Sequence, residues 1–305
     1  MKNGFLIINK PKSITSHDVV NIVRKKFNIK KVGHAGTLDP FATGVLIVGI
    51  NKATRLLEFL KNERKVYSVK AKLGIITQTF DIEDEIKEEH EVTQQHLKKL
   101  KKLVYSFVGD YLQVPPAYSA KKYQGKRLYE YARAGKIITL PPKKVNIYQI
   151  TDFYQNDDEF GFIVEVSAGT YIRSLIMDIG YSLGCGAVTT DLCRIKSGKF
   201  TLKESVEIDE ISENSVIEMD EAIDFPWVKV NNGEKVLKGQ QIYKENITEF
   251  SDFEKDDFVK IYDERSSFLG IGVAEKRSTF LKTLFENENR NDRIVKIRKI
   301  LYEVT

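Results

Sequence analysis

Cysteine is scarce: Cys185 and Cys193 are the only two in 305 residues, and their spacing fits neither a CxxC pair nor a zinc pattern. A disulfide framework and a cysteine-built zinc site are therefore excluded. The four histidines, His17, His34, His90 and His96, form no HExxH or comparable pairing, so a histidine-built metal site has no basis either. GxxxxGK[ST] is absent, and Gly33-His34-Ala35-Gly36 has no Lys-Ser/Thr after it, which argues against a P-loop NTPase. A GxSxG elbow is also missing. The reaction expected by elimination is free of metal and cofactor. Long apolar runs are lacking as well. Phe5-Leu6-Ile7-Ile8 is too short for a signal-peptide core, and nothing approaches the ~18 residues of a membrane span, so a cytoplasmic protein is expected.

What is present suits a chain of two domains at about 100–200 residues each. Its 42% hydrophobic, 30% charged and 10% aromatic content is that of an ordinary globular protein. The net charge of +5 conceals segregation. Residues 204–224 hold nine acids and no base, and Asp81 to Glu91 carry seven acids against Lys87 alone. The rest of the chain is strongly basic, which fits a polyanionic partner and equally fits plain solvated faces.

Along the chain, Phe5–Ile8 reads as a strand ended by Lys10-Pro11, followed by a helix with Ser16 as N-cap and Val19, Val20, Val23 and Phe27 at helical spacing. A glycine-punctuated loop over 31–43 precedes a buried strand at 45–50 and a helical pattern at 51–61. Strand 65–73, a Lys/Leu-rich helix near 93–107, strand 161–167 and helix 170–183 follow. Strict βαβ alternation is missing, so the fold class predicted is α+β rather than Rossmann. Residues 119–144 contain eight bases and one acid, and seven aromatics fall between Tyr105 and Tyr131. Interleaved bases and tyrosines suit a surface that grips a nucleic-acid backbone and stacks on bases. Self-repulsion in so charged a segment predicts ordering on binding. The acidic stretch leads to Phe225-Pro226, where the domain boundary is placed. Five strand-like runs beyond it (227–230, 258–262, 268–274, 280–285 and 294–301) predict a small β-barrel of nearly neutral charge.

Asp39 is the sharpest candidate for chemistry. Pro40 favours an extended backbone at Asp39, and the preceding glycines permit unusual turns. On residue chemistry alone an Asp-Pro in such a loop is more often a turn former. Arg173 by itself reads as an ordinary helix-surface ion pair, Tyr67 and Leu192 as core residues, and His34 as a loop histidine.

The segment Gly33-His34-Ala35-Gly36-Thr37-Leu38-Asp39-Pro40-Phe41-Ala42-Thr43-Gly44 resembles the signature of the bacterial tRNA pseudouridine synthase B family. Gly4–Pro11 with Thr15-Ser16, Lys65-Val66-Tyr67, Val114–Lys122, Gly169–Leu175, and Leu192-Cys193-Arg194 through Phe200 are similar to further blocks of that family in the same order. The resemblance covers most of residues 4–200. It implies a pseudouridine-synthase fold with a central mixed, largely antiparallel sheet flanked by helices, over residues 1–225. A PUA-like RNA-binding module would occupy 226–305.

The implied reaction converts the T-loop uridine at tRNA position 55 to pseudouridine, with the base flipped out of its stack. Asp39 would be the nucleophile, Arg173 its ion-pair partner, and Tyr67 the residue stacking on the base and removing a proton. Leu192 would floor the pocket and His34 would brace the vacated position. Lys10, Lys121, Lys122, Lys126 and Arg127 would neutralise phosphates, with 119–144 acting as a thumb. The implied partner is tRNA through its T-arm, with no cofactor, membrane or protein partner, and a monomer is expected. Two alternatives remain at this stage: a guide-RNA-dependent synthase of the archaeal and eukaryotic type, and a non-catalytic tRNA-binding or chaperoning protein.

Overall fold

A computed structural model describes residues 3–286 and 290–301. The chain divides into two compact units. One comprises Leu6–Val48 and Glu58–Ser215. The other runs from Val216 to the end of the described chain and takes in Gly49–Leu57 and the residues up to Phe5.

The chain opens with β1 (Gly4–Lys10), α1 (Ser16–Lys26), β2 (Val32–Ala35), β3 (Thr43–Ile50), α2 (Leu57–Lys61) and β4 (Lys65–Leu73). A hairpin of β5 (Ile75–Thr77) and β6 (Ile86–Glu89) leads to α3 (Gln94–Ser106) and β7 (Gly109–Gln113). Next come β8 (Lys122–Tyr123), β9 (Lys126–Arg127), α4 (Leu128–Arg133), β10 (Lys143–Asn156), β11 (Glu159–Val166), α5 (Ile172–Leu183), β12 (Ala187–Ser197), β13 (Phe200–Thr201) and β14 (Val206–Glu207). The main sheet has the order β14-β1-β3-β12-β4-β11-β10-β7, with β2 added to β3 and β13 to β12. β1–β14 and β3–β12 are parallel, whereas β12–β4, β4–β11, β11–β10 and β10–β7 are antiparallel. This is the mixed, largely antiparallel sheet expected. β3 is buried along nearly its whole length, as a central strand covered on both faces must be.

Several local differences from the sequence reading have plain causes. Thr15, not Ser16, caps α1: its hydroxyl accepts from Asp18 N at 3.0 Å while Asp18 accepts from Thr15 N at 2.9 Å. The 31–43 loop includes strand β2, which pairs with β3. Residues 119–144 contain the β8–β9 hairpin and α4. Left-handed Gln124 (φ 46°) and Gly125 (φ 85°) make the tight hairpin turn, and Leu128 and Ala132 bury an apolar face.

The second unit holds a six-stranded sheet in the order β16-β20-β19-β18-β15-β17. Its elements are β15 (Trp227–Val230), α6 (Gly233–Leu237), β16 (Ile242–Tyr243), β17 (Ile247–Phe250), β18 (Phe258–Asp263), β19 (Phe268–Ala274), α7 (Ser278–Phe285) and β20 (Arg293–Ile300). Four of the five expected strands are present. The run 280–285 is instead the helix α7, because Ser278, Leu281 and Leu284 at spacing three turn a single face into the core. β16 and β17 complete the sheet; they are too short or too polar to show in the sequence pattern.

Candidate active site

The loop that carries Asp39 is fixed by the first turns of the chain. The Ser16 hydroxyl accepts from Leu38 N at 2.9 Å and donates to Leu38 O at 3.1 Å, a role open to it because Thr15 does the capping. Ser13 N donates to Pro40 O at 2.9 Å. The Lys10 ammonium, wholly buried, gives its hydrogens to Ile14 O at 2.7 Å, Pro11 O at 2.8 Å and Pro40 O at 3.2 Å. Burial lowers the Lys10 pKa to about 8 against the attraction of Asp39, which raises it. In this geometry Lys10 clamps the Asp39-Pro40 turn instead of facing a phosphate, correcting the role expected for it. Its three donors are already occupied.

On the far side of the loop lies Arg194, 1% exposed, whose Nε donates to Val45 O at 2.7 Å and whose Nη2 donates to Gly36 O at 3.0 Å. Two signature glycines follow from this packing. Gly36 adopts φ +89°, and Gly44 adopts φ +99° where a Cβ would lie 2.3 Å from the Arg194 carbonyl oxygen.

α5 supplies the cation. Arg173 is almost fully buried, and four of its five guanidinium N–H donors are placed. Nε donates to Asp39 Oδ2 at 2.9 Å and Nη2 to Tyr118 O at 2.9 Å, while Nη1 reaches Thr79 O and, at 3.3 Å, Asp81 Oδ2. The start of α5 is itself held: Gln113 accepts from Tyr171 N at 2.7 Å and donates to Tyr171 O at 2.8 Å. A planar fork held at all three of its nitrogens cannot swing, so Asp39 faces a guanidinium of fixed direction. The Asp39 side chain remains 35% exposed, against 4% for Arg173, so its carboxylate stays open to a reactant.

These groups surround one cavity of about 420 Å³ lined by Asp39, Tyr67, Arg173, Leu192 and Lys121 among others. Strand alternation explains two walls. Lys65 and Tyr67 stand on the buried face of β4, and the β12 register sets Arg194 opposite Tyr67 and Leu192 opposite Val69. Burial lowers the Lys65 pKa to about 8, with Arg194 adding to the effect, and burial raises the Tyr171 phenol. Burial also raises the Asp81 carboxyl, opposed by Arg173.

His34 on β2, and Lys122, Lys126 and Arg127 on the hairpin, are not among the cavity-lining residues. The three hairpin cations are exposed. His34 is half-buried, its Nδ1 has no hydrogen-bond partner, and burial followed by repulsion from Arg194 lowers its pKa to about 4. Sequence reasoning missed Asp81, Arg194, Lys65, Gln113, Lys143 and Tyr171 as parts of the site. Asp81 was hidden in an acidic run that reads as a solvated face. Arg194, Lys65 and Tyr171 stood inside the quoted motif blocks, where a buried cation on an alternating strand was the available signal. Among the described residues no cluster of three or more His, Cys, Asp or Glu is placed to hold a metal ion, and no helix is long and apolar enough to cross a membrane.

Comparison with known proteins bears directly on this geometry. Residues 24–172 match the model described as TruB family pseudouridylate synthase (N terminal domain), and residues 173–225 match the tRNA pseudouridylate synthase B C-terminal domain. The chain is 49% identical to tRNA pseudouridine synthase B of Thermotoga maritima, over 98% of this chain and 99% of that protein. It is 48% identical to the Thermosipho melanesiensis protein of the same name, over 99% of each. Among solved structures, one of an H/ACA RNP bound to a substrate RNA containing 2′-deoxyuridine matches at 25% identity and TM-score 0.73, covering 98% of this chain and 85% of that one. A Cbf5-Nop10-Gar1 complex matches at 26% identity and TM-score 0.72, with the same two coverages. Those structures share the α+β fold over nearly the full chain, at about half the sequence identity of the bacterial relatives. A sequence matched from end to end at 48–49% identity, folded around an aspartate held by a buried arginine, belongs to the tRNA pseudouridine synthase B family of isomerases.

Proposed function

We propose that this enzyme isomerises the T-loop uridine at position 55 of tRNA to pseudouridine, with Asp39 as the nucleophile. The observation that carries the reading is the Asp39 carboxylate at the cavity wall, 2.9 Å from a buried arginine whose other two nitrogens are held as well. A stacked uridine cannot reach such a recess, so the nucleotide is flipped, at a cost of a few kcal/mol of unstacking. Tyr67 and Leu192 offer the extruded base an aromatic face and an apolar floor. Asp39 attacks and the glycosidic bond to nitrogen breaks; the detached base turns and bonds the ribose through carbon, the bond to Asp39 is released, and the hydrogen on that carbon leaves as a proton while the freed ring nitrogen takes one up. Arg173 aligns the carboxylate through both displacements without moving itself. Lys121 and Lys143 at the cavity wall face the flanking phosphates, and the exposed Lys122, Lys126 and Arg127 extend that basic surface as a thumb. Full-length identity to bacterial relatives supports a stand-alone enzyme over a guide-RNA-dependent one. Residues 226–305 serve as an RNA-holding PUA-like domain.

The test is tritium release from unmodified tRNA transcript labelled with [5-³H]uridine, with no guide RNA present. Release by the wild type and none by Asp39→Ala, with tRNA affinity within a few-fold, is the expected result. Turnover by Asp39→Ala would remove the nucleophile assignment, and a guide-RNA requirement would favour the guided alternative.

A further inference from the structure

The helix α3 has a face that the catalytic reading leaves unused. Lys98, Lys101, Lys102 and Tyr105 fall within one ~100° arc at 100° per residue, opposite the buried Leu100 and Val104. All four are exposed, with Tyr105 at 39%. Gln94–Ser106 contains no acid, and among the described residues none of these lysines is in an ion pair. In the acidic segment that precedes α3, Glu83 pairs with Lys12 at 3.8 Å and Glu88 with His90 at 3.1 Å. Lys98 with Lys101 and with Lys102 are like-charge pairs at repulsive helical spacings.

A second element completes the face. At a bulge in β10, Asp152 takes φ +51° and re-aims the strand beside it. Phe153 then packs against Tyr105 with ring centroids 6.3 Å apart, and the Lys101 ammonium stands 6.0 Å from the Phe153 ring centroid. Uncompensated cations around a half-exposed tyrosine match the chemistry of phosphates flanking a base or sugar. The face is separate from the cavity lining: Lys143 lines the cavity at the start of β10, whereas Phe153 lies ten residues further along that strand, and neither it nor Lys98, Lys101, Lys102 or Tyr105 lines the cavity.

We propose that α3 and the bulged end of β10 form a second RNA-contact surface, taking the phosphate backbone of the tRNA outside its T-arm. The proposal rests on the reading of tRNA as substrate. The test compares wild type with the triple variant Lys98→Gln, Lys101→Gln, Lys102→Gln, whose exposed positions and retained helix formers preserve the fold, as far-UV circular dichroism will verify. Binding of full-length unmodified tRNA transcript is measured across salt, with tritium release in parallel. Expected are a Kd raised about tenfold at low salt, a log Kd–log salt slope smaller by about 2, and kcat unchanged at saturating tRNA. A stem-loop of the T-arm alone should bind both proteins equally. An unchanged slope with full-length tRNA would show a merely solvated face and overturn the proposal, as would an equal loss of affinity for the stem-loop. If the wild type bound tRNA but released no tritium, the catalytic reading would fail while the binding comparison still decided the surface.

Discussion

Lys10 illustrates how a residue behind the cavity wall can hold the backbone that carries Asp39. A buried ammonium that satisfies three carbonyls replaces what water would have done for them, and one of those carbonyls belongs to Pro40, next to Asp39. Lys10→Met keeps the bulk but leaves Pro11, Ile14 and Pro40 oxygens without that donor. The expected result is a loss of about 1–3 kcal/mol in stability, read by urea unfolding, with a larger fall in kcat than rise in KM because the carboxylate is displaced. His34 offers a pH test. Its folded pKa of about 4 lies below the unfolded value near 6.5, so between those values the unfolded chain binds more protons and stability falls as pH falls. His34→Gln removes that proton uptake. The wild type's urea midpoint should therefore drop more steeply than the variant's between pH 6.5 and 4; parallel curves would contradict burial of the neutral imidazole.

At the scale of elements, the basic hairpin and α4 are tied to Arg173. Tyr118 O accepts from Arg173, and the segment then closes on itself through Tyr129 N to Ser119 O and Leu128 N to Lys121 O. Charge carried on this hairpin is thus anchored near the cavity. Replacing Lys121, Lys122, Lys126 and Arg127 by Glu should weaken tRNA binding and flatten its salt dependence, measured by filter binding across salt concentrations. An unaltered slope would mean that the hairpin cations only meet solvent. The sequence showed this segment as a basic, tyrosine-bearing stretch. Its hairpin was less visible, because two-residue strands carry no period; only Gln124-Gly125 marked the turn.

The whole molecule divides into a unit that carries the Asp39–Arg173 cavity and a six-stranded unit whose own core includes Val228, Val230, Ile242, Val259, Ile261, Leu281 and Val295. If that second unit only holds RNA, removal of residues 226–305 raises KM by more than it lowers kcat in steady-state tritium release, once circular dichroism shows the remainder folded. A fall in kcat alone would place the unit in the chemistry.

Amino-acid sequence by itself determined the elements whose pattern is local and strongly periodic: β4 with its alternation, α1, α3 and α5 with their apolar stripes, and the α+β class. Recognisable motif blocks also carried Asp39, Tyr67, Arg173 and Leu192 as a set. Tertiary structure decided what depends on partners distant in the chain. Asp81, in a run of acids, is one of the four acceptors around Arg173 because the β5–β6 connection reaches α5's N-terminal end. Lys10 is a clamp and not a phosphate contact because Pro11, Ile14 and Pro40 converge on it. α7 is a helix because its unit presents a core to one face of residues 278–285. A side chain's residue type limits its chemistry, but which charge is buried, paired or left open is set by neighbours that no single stretch of sequence contains.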